Sequence, residues 1–337
     1  MIDILVAGGG PAGLAAAIRA ALAGLEAVVV EPRAAPVDKA CGEGIMPGGV
    51  TALRELGVHP RGHALRGIRY TDGRRSAQAD FRGGPGIGVR RTELHAALHA
   101  RAAALGVRFV TGRVREIRQD EHTVTAAGLT ARWLVAADGL HSPVRRALDL
   151  DRPVPGPGRY GLRRHYRLAP WTDLVEVHWS RHGEAYVTPV GENLVGVAVL
   201  SRHRRGYDEH LADFPALAAR LTGPAATPVR GAGPLRQRAL GRRAGRVLLV
   251  GDAAGYIDAL TGEGVALAVA TATAAVDCLA AGRPEDYPRR WAGRTRRYRL
   301  LTAALLAAAR PPRAGRLIVA AAHHAPAAFR TVVRALQ

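Results

Sequence analysis

Gly8-Gly9-Gly10-Pro11-Ala12-Gly13 lies between a short apolar run, residues 2–7, and an alanine-rich stretch, residues 14–25. The G-x-G-x-x-G spacing therefore falls where a strand turns into a helix. Gly8 permits the tight turn, Gly10 leaves room for backbone to approach a pyrophosphate, and Gly13 lets the helix pack closely on the strand. Unpaired N–H groups and the dipole at the helix start favour phosphate charge. Glu31 ends a second apolar strand, residues 27–30, and can accept hydrogen bonds from an adenosine ribose. The chemistry is dinucleotide binding. Gly156-Pro157-Gly158-Arg159-Tyr160-Gly161 matches the same pattern, but no buried strand precedes it and residues 162–168 read as a strand. A loop is expected there, and only one dinucleotide-binding unit.

Two further segments narrow the reading. Trp133-Leu134-Val135-Ala136-Ala137-Asp138-Gly139 is a strand ending in Asp-Gly, followed by His141, Ser142 and Arg145. Val247-Leu248-Leu249-Val250-Gly251-Asp252 is another, followed by Thr261-Gly262-Glu263-Gly264 at the start of a long helix. Together with the glycine turn, these segments resemble the FAD fingerprint, Asp-Gly motif and Gly-Asp motif of the para-hydroxybenzoate hydroxylase-like flavoproteins. That family includes aromatic hydroxylases and geranylgeranyl reductase-like enzymes, and the resemblance covers roughly residues 1–279.

The resemblance implies FAD as cofactor and NAD(P)H as transient reductant. It assigns Gly8, Gly10, Pro11, Ala12, Gly13 and Glu31 to the dinucleotide, Gly251 and Asp252 to the ribityl chain, and Arg91, with Arg90 as fallback, to FAD contact. Asp138 is assigned a place between the pyrophosphate and the nicotinamide approach. Gly262, Glu263 and Gly264 open a helix whose positive end faces the isoalloxazine, where reduced flavin carries negative charge. The proline usual in the Gly-Asp motif is missing from Tyr256-Ile257-Asp258-Ala259-Leu260. Lys39-Ala40-Cys41-Gly42-Glu43-Gly44 resembles the Cys-Gly loop of the geranylgeranyl reductase-like branch. Cys41, Glu43 and Tyr186 are the catalytic candidates, each with the alternative of a structural role, and the catalytic assignment stays open. No metal is assigned.

These residues need a scaffold. Apolar runs near residues 2–7, 27–30, 107–110, 133–136 and 247–250, with helical stretches between them, argue for a mainly parallel sheet. Residues 160–200 change texture to short segments separated by turns, as antiparallel strands are, and after Gly262 the chain reads as helix with breaks near Pro284, Pro311-Pro312 and Pro326. The expected fold class is α/β: a Rossmann-like FAD-binding domain interleaved with a smaller antiparallel-sheet substrate domain, and a helical C-terminus. The expected FAD-binding domain comprises residues 1–70, 90–150 and 240–282, the substrate domain 71–89 and 151–239, and a basic helical region 283–337.

The 337 residues carry a formal charge of +20, nearly all from arginine, since Lys39 is the only lysine. Half of that excess lies in residues 283–337, where twelve arginines face only Glu285 and Asp286. A peripheral membrane contact through this region is one reading; a nucleic-acid partner is disfavoured by aromatics at 5% and the absence of an RNP-like run or C2H2 spacing. Two cysteines exclude a disulfide framework or Cys-based zinc site, and the N-terminus lacks a basic leader, so a cytoplasmic enzyme is expected. The favoured activity is an NAD(P)H-using monooxygenase with O2 as cosubstrate, acting on a hydrophobic aromatic or isoprenoid molecule. The alternatives are a geranylgeranyl reductase-like enzyme saturating a C=C bond and a non-catalytic flavin-bound interaction protein. Alternation predicts Tyr186 and Thr188 on one side of their strand and Val187 on the other.

Overall fold

The computed structural model describes residues 1–309 and 314–335. Its first layer is an eight-stranded sheet whose five parallel strands run in the spatial order Val247–Leu249, Leu129–Ala136, Ile2–Ala7, Ala27–Glu31, Arg108–Thr111. Both faces of such a sheet are covered, which is why its strands are continuous apolar runs rather than alternating ones. Ile4, Leu5, Val6, Val28, Val29, Leu134 and Val135 are fully buried. The helix Pro11–Leu22 follows the first strand, with Pro11 in its first turn where no N–H is needed. Leu14 and Ile18, one turn apart, are fully buried beneath it. Each such side chain contributes about 1.5 to 3 kcal/mol of burial.

The second layer is a seven-stranded sheet in the order Arg230–Ala232, Tyr160–Tyr166, Leu194–Ser201, Gly183–Gly191, Leu174–Trp179, Gly67–Thr71, Ser76–Asp80. The four strands expected between residues 160 and 201 are all present and antiparallel to their neighbours from that group. Gly67–Thr71 pairs parallel with Leu174–Trp179, so the expected division at residue 70 falls inside a strand of the second sheet. A small three-stranded sheet, Gly44–Ile45, Gly86–Gly88 and His63–Leu65, lies between the layers in sequence and packs on Gly183–Gly191.

After Gly262 the described chain is helical: Gly264–Ala280, Tyr287–Ala308, Ala314–His324 and Pro326–Arg334, with a short 3-10 turn at Pro284–Asp286. The break expected at Pro311-Pro312 lies outside the described residues. The last two helices return to the second sheet, where His323 Nδ1 lies 2.8 Å from the main-chain oxygen of Ser76 and Phe329 packs on Tyr70, their rings 4.9 Å apart. No helix among the described residues is long and apolar enough to cross a membrane.

Candidate functional site

One cavity of about 1020 Å³ runs from the glycine turn to the inner face of the last helices. The turn at its near end is built as its spacing requires. Gly8 has φ 99°, and a Cβ on Gly13 would lie 1.8 Å from the Gly8 oxygen, so Gly13 sets the helix-to-strand approach. A Cβ on Gly10 would meet only Arg91 Nη2, at 3.8 Å, and otherwise open cavity. That open edge at a helix start is the space a pyrophosphate needs. Glu31 Oε2 accepts from the Gly9 N–H at 2.8 Å while Oε1 accepts from Arg33 Nε at 2.7 Å. Burial works against its ionisation, yet Arg33 and the Gly9 N–H outweigh it and hold the carboxyl below the usual range.

Arg145, fully buried, ties the Asp-Gly and Gly-Asp segments together. Its guanidinium donates to the main-chain oxygens of Leu140 and Ala253 and to Gln237 Oε1, each at 3.1 Å, and pairs with Asp151 at 2.6 Å. The Asp252 carboxyl lines the cavity beside this junction. Burial pushes its pKa up, opposed by the charges of Lys39, Arg91 and Arg145. Asp138 Oδ2 accepts from the Val144 N–H at 2.9 Å, capping the short helix Pro143–Ala147, while Oδ1 is buried without a protein partner. An orphaned carboxylate oxygen on a cavity wall is a site waiting for a donor. The open Gly10 edge, these two carboxyl groups and the volume of the cavity together fit FAD.

The Cys41 loop forms the cavity wall between the layers. Burial pushes the Cys41 thiol up, with Arg91 opposing, and Sγ accepts from the Glu43 N–H at 3.4 Å. Glu43 is held differently. Its backbone sits at φ 62°, and its carboxylate accepts from the Arg91 N–H at 2.9 Å and from His165 Nε2 at 2.6 Å. Arg163 lies behind, 3.1 Å from His165 Nδ1 and paired with Asp38. Because Arg163 only donates, His165 Nδ1 is the acceptor and its Nε2 carries the proton given to Glu43. Glu43, with 3% of its surface exposed, thus spends its lone pairs on fixing the loop against the start of the helix Arg91–Ala104.

Tyr186 and Thr188 face the cavity, and Val187 packs into the core behind the sheet. The Tyr186 hydroxyl donates to the Leu260 oxygen at 3.1 Å, and burial raises its pKa far above the usual value. That bond also holds the loop without the expected proline. Tyr298 donates to the Asp258 oxygen at 2.8 Å, Arg159 pairs with Asp258, and the Leu260 N–H donates to Asp258 Oδ1 at 3.1 Å. Beyond it the helix Gly264–Ala280 presents Gly264, Val265 and Ala268 to the cavity.

Of the residues expected from sequence, Gly8, Gly10, Pro11, Ala12, Glu31, Cys41, Glu43, Arg91, Asp138, Tyr186, Asp252, Gly262 and Gly264 are brought together on this wall. Gly13 and Gly251 instead serve packing: a Cβ on Gly251 would lie 2.8 Å from that of Ala12. Glu263 is not on the wall. Its carboxyl interacts with Thr261 and Arg297, and burial raises its pKa to about 7. Arg145, His165 and Lys39 were not singled out as site residues, although Arg145 lies at a fixed offset from Asp138-Gly139 and Lys39 heads the Cys41 loop. The far arm of the cavity, walled by Ile68, Val175, Val177, Leu305, Ile318 and Phe329, was not legible, because its two sides come from opposite ends of the chain.

The model of a family described as FAD binding domain matches residues 1–285. A menaquinone reductase of Mycolicibacterium smegmatis is 30% identical over 327 residues, covering 86% of this chain and 79% of that protein. Digeranylgeranylglycerophospholipid reductase 1 of Methanopyrus kandleri is 30% identical over 301 residues, covering 78% of this chain and 76% of its own length. A solved flavoprotein/dehydrogenase of Cytophaga hutchinsonii has the same fold, with TM-score 0.79 at 19% identity over 99% of this chain and 96% of that one.

Proposed function

The chain belongs to the FAD binding domain family, and from that premise we propose that this FAD-dependent oxidoreductase is a reductase saturating a C=C bond in a hydrophobic, isoprenoid-type molecule. The observation that carries the substrate class is the far arm of the cavity, whose wall is apolar from Ile68 to Phe329. Such a surface selects by burial rather than by ion pairing. The preference for reduction over oxygenation rests on two relatives named as reductases that align with most of this chain, and on the Cys41-Gly42 segment. It reverses the order of the two activities that the motifs alone favour.

When bound, FAD supplies the hydride, with NAD(P)H proposed as the source of its two electrons, and a proton completes the saturation. The protein's part is binding, orientation and the proton. The glycine turn and the start of the helix Pro11–Leu22 would receive the phosphates, Asp252 would accept from ribityl hydroxyls, and the start of the helix Gly264–Ala280 would offer its positive end to the ring. Of the catalytic candidates, Cys41 and Tyr186 bear a proton at neutral pH. The Tyr186 hydroxyl already donates to Leu260, so the Cys41 thiol is the available one. Glu43 and His165 keep the loop that carries it in place.

Anaerobic incubation with NADPH and a polyprenyl-bearing substrate tests the reading. The expected result is a product two mass units heavier per bond reduced, formed without oxygen. Turnover that stops under argon and consumes one O2 per product assigns the chain to the hydroxylating branch instead.

A further inference from the structure

The far arm of the cavity does not end blind. Ala321, Ala325, Ala328 and Val332 line it and are exposed at the same time. Ala328 and Val332 lie one turn apart on the last helix, Ala325 caps it and Ala321 sits on the helix before, so the cavity opens sideways along an apolar strip. Leu317, 65% exposed and one turn before Ala321, lengthens the strip. Leu300, 62% exposed, lies one turn from Arg297, whose guanidinium donates to the main-chain oxygen of Arg334 at 3.2 Å. The C-terminal helices that bear the strip are basic. No acidic residue follows Asp286 in the sequence, whereas eleven arginines do, and Arg296, Arg297 and Arg330 are exposed.

Exposed leucines and an apolar strip on helices whose charged residues are basic match the composition of helices that lie in a membrane interface. We propose that the helices Tyr287–Ala308, Ala314–His324 and Pro326–Arg334 dock this face on an anionic lipid bilayer. Leu300, Leu317 and Val332 enter the boundary between headgroups and acyl chains, the arginines meet lipid phosphates, and the side opening of the cavity faces the lipid. A nucleic acid would satisfy the arginines but would leave the leucines in water. That the opening admits a lipid-borne substrate rests on the hydrophobic-substrate reading above. The docking itself does not, and it is measured with no substrate present.

The test is sedimentation of FAD-loaded protein with phosphatidylglycerol vesicles, phosphatidylcholine vesicles and a duplex DNA competitor. The expected result is binding to phosphatidylglycerol that weakens with salt, and at least tenfold weaker binding to phosphatidylcholine. The double variant Leu300→Gln/Leu317→Gln, which keeps every charge, should lose about tenfold in affinity for phosphatidylglycerol while its bound flavin and visible spectrum stay unchanged. Protein that remains in the supernatant with phosphatidylglycerol at low salt overturns the proposal. So does an unchanged affinity of the double variant, which would reduce the contact to charge adsorption, or DNA binding tighter than vesicle binding.

Discussion

Arg145 Nη1 donates to the main-chain oxygen of Ala253, 108 positions further along the chain, at 3.1 Å. The bond joins the Asp-Gly segment to the Gly-Asp segment at the point where both reach the cavity. Arg145→Leu would remove every donor of that side chain and leave the Ala253 and Leu140 oxygens unsatisfied in the interior. A loss of about 3 kcal/mol of stability is expected. Denaturant unfolding measures it, and a variant as stable as the parent would deny Arg145 its tying role.

Gly10→Val and Gly13→Val should fail in different ways. The first adds a side chain into the open edge of the turn, so the protein should fold and lose FAD. The second drives a Cβ into the Gly8 oxygen and should cost the fold itself. Far-UV circular dichroism beside flavin content separates the two; equal FAD occupancy in Gly10→Val would move the pyrophosphate elsewhere.

Asp252→Ala should lose roughly ten- to a hundredfold in FAD affinity, because hydrogen bonds to a charged acceptor contribute about 1.5 to 3 kcal/mol. Its overall secondary structure should be retained. Fluorescence titration of the apoprotein with FAD gives the number, and an unchanged affinity would sever Asp252 from the ribityl chain.

His95 makes the protein sensitive to acid. Its ring is buried with neither nitrogen bonded, and burial, aided by the Arg91 charge, lowers its pKa from 6.5 to about 4. Between those values the unfolded chain binds the proton that the folded one refuses. Stability from this residue is therefore complete above pH 6.5 and declines as pH falls toward 4. His95→Leu should flatten that decline in the pH dependence of thermal unfolding; a slope equal to the parent's would rule His95 out as its source.

Cys41→Ser should bind FAD as the parent does yet lower the rate of C=C reduction, since the thiol belongs to the wall rather than to the cofactor cradle. Rapid-reaction measurement of flavin reoxidation by substrate, set beside flavin reduction by NADPH, locates the loss. An equal rate of the substrate step would remove Cys41 from the chemistry.

The parallel sheet and the glycine turn were legible because their signals are local: continuous apolar strands, G-x-G-x-x-G at a strand end, and a helix of small residues after it. The period-two reading of Tyr186, Val187 and Thr188 is likewise a property of one strand. Glu43 was legible as a polar loop residue but not in its role, since its partners Arg91 and His165 are 48 and 122 positions away. Gly67–Thr71 has strand-favouring Ile68, Tyr70 and Thr71 but is only five residues long, too brief to stand out; pairing with Leu174–Trp179 fixes it as a strand. The arm of the cavity has the same origin, formed where Tyr70 and Phe329 meet.

The order of strands in the first sheet also governs how the molecule can be made. Ile2–Ala7 is made well before its neighbour Leu129–Ala136, and that strand's neighbour Val247–Leu249 follows by more than a hundred residues again. The glycine turn exists early as sequence and late as a shaped cradle, because Asp252 and the start of the helix Gly264–Ala280 close it from the far end. A nascent chain therefore lacks this side of the cradle until the helix that opens at Gly264 has been made. FAD capture is expected only once Asp252 and the start of that helix are in place.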